Sequence, residues 1–80
     1  MASYIPDDDN ALLRRRDTAK ALTAAGFPMS EGTLATKATR GGGPPFQKWG
    51  NTPLYQWGTT LQWARARLSK PVHSTSEIAA

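Results

Sequence analysis

The residues of this sequence that could do chemistry are few, and their spacing argues against catalysis. Asp7, Asp8 and Asp9 form an acidic run that could suggest metal-ion chemistry, but no further carboxylate lies near them in the sequence. The arm that carries them, residues 1–12, contains a helix-breaking Pro6 and reads as flexible or docked. His73 has no Cys, Asp or Ser framework around it from which a triad could be built. Gly41-Gly42-Gly43 lacks the following Lys-Ser/Thr of a phosphate-cradling loop, and it precedes a strand pattern rather than a helix. Cys is absent, which removes disulfides and thiolate zinc sites. The expectation is a non-enzyme with no cofactor and no metal.

Binding chemistry is better represented. The 80 residues carry 10 Lys+Arg against 6 Asp+Glu, a formal charge of +4. Between Ala11 and Lys70 all ten bases remain, opposed only by Asp17 and Glu31. A body that basic normally faces a polyanion, meaning nucleic acid or an anionic membrane surface. Arg14, Arg15 and Arg16 sit where a first helix begins. Cations there oppose the helix dipole, so a bound phosphate would explain their placing; a solvated charge run is the plainer alternative.

The elements that must position these residues follow from local signals. Ala19, Ala21, Leu22, Ala24 and Ala25 favour a helix ending at Gly26, where a left-handed cap is expected. Ser30 offers an N-cap oxygen and Glu31 a first-turn acid, so a second helix is predicted over 31–40, ended by Gly41 to Pro45. Leu34 and Ala38 share its inner face. Gly32, Thr33, Thr36, Thr39 and Arg40 face out, with Lys37 on the flank.

Two aromatic-rich runs around Gly50-Asn51 predict a short β-hairpin, with Pro53 confining its strand to an edge. Thr59 is read as the N-cap of a third helix over 60–68, burying Leu61, Ala64 and Leu68. Trp57 and Trp63 belong to the core on this reading, and Trp49 is divided between core packing and stacking on a ligand. The expected class is α+β, mostly helical: two N-terminal helices, a hairpin wing and a C-terminal helix over 13–69, then a tail over 70–80.

Helix, tight turn, helix, hairpin, helix is the order of a small MerR-like winged helix-turn-helix. The run from Leu13 to Leu68 resembles the excisionases, or recombination directionality factors, of bacteriophages and integrative elements. The likeness rests on Arg16 to Leu22, Gly26 to Leu34 and Gly41 to Phe46, with the hairpin and Trp63 also fitting. Thr60 departs from it, standing where many relatives place an apolar residue.

The resemblance implies double-stranded DNA as partner. It also implies cooperative binding at adjacent sites, DNA bending, and steering of a site-specific recombinase (an integrase) toward excision. The second helix would be the reader, with Ser30, Glu31, Gly32, Thr33, Thr36, Lys37 and Arg40 toward the major groove. Arg14 to Arg16 would take backbone phosphates, and Lys48, Trp49, Asn51 and Thr52 would form the wing. A small transcription regulator is the alternative in the same class, and a basic protein-interaction adaptor the rival in another.

Tyr4, Ile5, Val72 and Ile78 are apolar residues in the two tails that a monomer of this size has no obvious way to bury. They are read as contacts for head-to-tail self-association along DNA, with ordinary frayed termini as the plainer alternative. Without a signal segment or a long apolar run, a cytoplasmic protein is expected, and the resemblance implies that it is bacterial and DNA-associated.

Overall fold

The computed structural model describes residues 5–69 and 71. They form an α+β unit of three helices and a three-stranded antiparallel sheet. In chain order these are β1 (Leu12–Arg14), α1 (Arg15–Ala24), α2 (Glu31–Arg40), β2 (Gln47–Trp49), β3 (Thr52–Gln56) and α3 (Trp57–Ala66). The strand order is β1-β3-β2. Of the apolar tail residues, Ile5 is exposed, while Tyr4, Val72 and Ile78 lie outside the described residues.

α1 forms because small, straight-chain residues recur on one face: Thr18, Ala19, Ala21 and Leu22 are buried. Its end is closed by backbone geometry. Gly26, at φ 103°, donates its N–H to Thr23 O, and Phe27 donates to Leu22 O at 2.8 Å. That is the paired bonding of a Schellman motif, and Phe27 follows it onto the core. The Thr23 hydroxyl then accepts the Met29 N–H at 3.2 Å, which fixes the turn into α2. Ser30 caps α2 through Oγ, accepting from the Thr33 N–H at 3.1 Å. Gly41, at φ 93°, ends it.

The sheet holds two corrections. Leu12 falls in the arm that the sequence suggests is loose, yet it begins β1, where Leu13 pairs with Tyr55 and Arg14 with Leu54. A three-residue strand is too short to show alternation, and its partner lies some forty residues away. Pro53 is an edge-strand residue by type, yet β3 is central. The Trp57 N–H donates to Ala11 O, so alternation turns the amide positions of Tyr55 and Pro53 to the β1 side as well. The last β1 pair is Arg14 with Leu54; at Pro53 that side has already become α1, and no ladder bond is forfeited.

α3 begins earlier than its sequence suggests. Its caps come from the N-terminal segment: Ala11 O accepts the Trp57 N–H at 2.9 Å and Asp9 O accepts the Gly58 N–H at 2.8 Å. Asp8 Oδ1 accepts the Asn10 N–H, which shapes the approach. A Cβ on Gly58 would stand 2.9 Å from Asp9 Cβ, so only glycine lets the segment lie this close. Thr59 is therefore no N-cap; its hydroxyl donates to Gln56 Oε1 inside the first turn.

Starting at Trp57 shifts the buried stripe to Trp57, Thr60 and Ala64, with Leu61 half-buried beside them. Leu68 falls past the Arg67 cap and is 64% exposed, outside the core in which its spacing would place it. The core proper is Ala21, Leu22, Trp57 and Ala64, flanked by Leu13, Ala25, Phe27, Met29, Leu61 and Trp63. Trp63 is half-buried rather than enclosed. Its indole N–H donates to Gly42 O, which also accepts from Arg67, and the Arg67 guanidinium lies 5.0 Å from the ring. The glycine loop is thereby tied to α3.

Thr60 is fully buried and its hydroxyl has no hydrogen-bond partner. Burying an unpaired hydroxyl costs about 1–3 kcal/mol, and valine has nearly the same shape. Thr60→Val is expected to stabilise the fold by about 1 kcal/mol, raising the melting midpoint by about 4–8 °C. A lower midpoint on thermal denaturation would show that the hydroxyl does useful bonding.

Candidate nucleic-acid interface

Four elements meet at the start of α1. Arg14, Arg15 and Arg16 from β1 and α1, Glu31, Gly32 and Ala35 from α2, and Thr52 and Pro53 from β3 line one groove of about 560 Å³. The fold thus unites residues that lie far apart in the chain. All but Ala35 and Pro53 are candidates on sequence grounds. Ala35 lies one turn beyond Gly32, and that spacing is the signal that could have found it.

The three arginines are not equivalent. Arg14 and Arg16 are exposed. Arg15 is half-buried: its Nε donates to the Tyr55 hydroxyl at 3.0 Å, and its guanidinium lies 5.8 Å from the Phe46 ring and 5.9 Å from that of Tyr55. The two rings pack at 5.4 Å, tilted by 38°. Arg15 therefore ties α1 to β3 and keeps only part of its donor fork for a ligand. Arg14 is the N-cap of α1 and places no side-chain acceptor on the first-turn amides. Its carbonyl instead accepts from the Thr18 hydroxyl at 2.8 Å. An anion in the groove would meet exposed guanidinium groups beside a helix start.

The outward face of α2 forms a second, shallower depression of about 480 Å³ lined by Ser30, Gly32, Thr33, Thr36 and Lys37. Its hydroxyls are partly committed. Thr36 donates to Gly32 O at 3.0 Å, and Ser30 and Thr33 share one bond at 2.8 Å. Thr36 thus offers a free acceptor lone pair and a methyl group, which suits a base amino group or a thymine methyl. Arg40 is exposed at the far end of the helix, beside Gly41, and is the one bidentate donor on this face.

Lys48, Trp49 and Asn51 are exposed on the hairpin and lie outside the groove, while Thr52 is half-buried within it. Trp49 is 77% exposed, which removes it from the core. Among the described residues no three His, Asp or Glu side chains converge where a metal could be held. No described helix is long and apolar enough to cross a membrane.

Gly32 sits in helical conformation with open space where a Cβ would go. Gly32→Ala is expected to stabilise the free protein by about 0.5–1 kcal/mol through helix propensity. If the α2 backbone there approaches DNA, the added methyl weakens duplex binding at the same time. Opposite signs in a melting curve and a binding titration are the expected result; equal binding by both proteins would remove Gly32 from the interface. No family model, curated protein or solved structure matches the chain.

Proposed function

We propose that this chain is a DNA-binding architectural protein of the winged helix-turn-helix kind, acting as a recombination directionality factor. The observation that carries the DNA reading is the groove in which Arg14 and Arg16, the start of α2 and the base of the hairpin converge. A major groove about 12 Å wide accepts one helix, with the preceding helix against the backbone and the hairpin on flanking phosphate. α2, α1 and the β2–β3 hairpin suit those three roles. The recombinase role rests on the resemblance of residues 13–68 to excisionases.

The reading palette on α2 is sparse: three threonines, a glycine, Lys37 and Arg40 beside the entering Glu31. One copy would discriminate weakly, so affinity would come from neighbouring copies and from the bendability of the site. A gel shift comparing random duplexes with attachment-site duplexes tests this. Binding that rises cooperatively as adjacent sites are added supports the architectural role. Thr36→Ala and Arg40→Ala are expected to lower cognate binding more than random binding, by about 1–3 kcal/mol for each base edge no longer read. Equal weakening on both duplexes would make them phosphate-binding residues, and no binding to any duplex would refute the reading.

A further inference from the structure

We infer that the Trp49 indole is a wedge that enters a base step of bound duplex DNA, an inference that rests on the DNA-binding reading above. A chain of 80 residues has little apolar bulk to spare, and Trp57 is 1% exposed while Trp63 is half-buried. Trp49 is held out at 77% exposure, more than Ile5, Leu12 or Leu68.

It is also held firmly. Trp49 is the last residue of β2, paired with Thr52 across a two-residue turn in which Gly50 has φ 65°. A glycine of positive φ in the first position and an ordinary second residue is the pattern of a type II′ turn, the tight hairpin closure. The side chain therefore projects from a short ladder rather than from a long loop.

Its position joins it to the groove. Thr52, directly opposite, lines the groove with the arginines. Strand alternation puts Trp49, Thr52, Leu54 and Arg14 on one face of the sheet, since Leu54 pairs with Arg14. A phosphate backbone lying along Arg14 and Arg16 brings the duplex to the hairpin end. An aromatic ring there meets the minor groove, where apolar wedges part a base step and kink the helix. Lys48, Gly50, Asn51 and Thr52 around it are polar or small. Leu54 and the exposed Leu12 share this face further along the sheet, but at the hairpin tip the ring is the single large apolar group, which suits a slot between bases better than a bilayer.

The test uses the full chain and a duplex of about 20 base pairs carrying 2-aminopurine at a central TpA step, which unstacks readily. The wild-type protein is expected to raise 2-aminopurine fluorescence severalfold on binding. Trp49→Ala is expected to abolish that rise and weaken binding about tenfold, with Trp49→Phe retaining part of both. Trp49→Ala that binds and raises the signal as the wild type does overturns the wedge and leaves the interface standing. No duplex binding by the wild type overturns both. A blue shift of tryptophan emission on phosphatidylserine vesicles, with none on duplex, would overturn the wedge and assign Trp49 to a membrane instead.

Discussion

Raising the salt from 50 to 200 mM weakens duplex binding about 500-fold if the interface neutralises about five phosphates, since each contributes a slope of about −0.9 to log affinity against log salt. The cations that would supply this are Arg14, Arg16, Lys37, Arg40 and Lys48, with Arg15 contributing through whatever its fork retains. Arg14→Ala with Arg16→Ala is expected to flatten the slope by about two units and to weaken all sequences alike, with little change in melting. Arg15→Ala is expected to behave differently. Removing it takes away the Tyr55 hydroxyl's donor and the cation over two rings, so the melting midpoint falls as well. Salt titrations of the three proteins, followed by anisotropy, check both statements. An unchanged slope in the Arg14/Arg16 double variant would remove these side chains from the interface.

Trp57→Ala is the substitution expected to do most harm to the fold. The indole is 1% exposed, packs with Ala21, Leu22 and Ala64, and begins α3 at the residue whose N–H is capped by Ala11. Truncating a buried tryptophan to alanine costs about 3–5 kcal/mol. A domain of this size has a total stability of about 4–12 kcal/mol, so the variant forfeits about a quarter of it at the least and, at the lower end of that range, sits near its unfolding midpoint at ordinary temperature. Near-ultraviolet circular dichroism and urea denaturation measure the deficit. A variant that melts within a few degrees of the wild type would show that this core reorganises around the cavity.

Where a signal is local, the sequence is legible. Ser30 and Gly41 bracket α2 to the residue, and Gly26 marks the end of α1, because caps act within four or five positions. The start of α3 is not legible, because its caps are carbonyls of Asp9 and Ala11, far off in the chain. β1 escapes for the same reason: its partner is distant and its length shows no period. Within the site, the arginine run and the outward face of α2 are readable from type and helical spacing. That Arg15 is held by Tyr55 and that Pro53 joins the groove depends on the pairing of β1 with β3. Trp49 is ambiguous because hydrophobicity alone does not say on which side of a hairpin the core lies.

The bonds from Trp57 and Gly58 back to Ala11 and Asp9 also set an order of events in time. Residues 12–14 have their sheet partners at 54–56, so the helix pair α1–α2 lies inside a loop that those pairings must close. Closing a loop of that length carries an entropic barrier that no single helical turn offsets, and non-local pairing slows folding. On a ribosome, β1 would wait with its polar edge unpaired until the hairpin and the start of α3 had emerged. The two helices would form early but without the sheet and Trp57 against them. The domain thus becomes complete in one late step, and a chain cut short before Trp57 would have α2 but nothing firm to hold it.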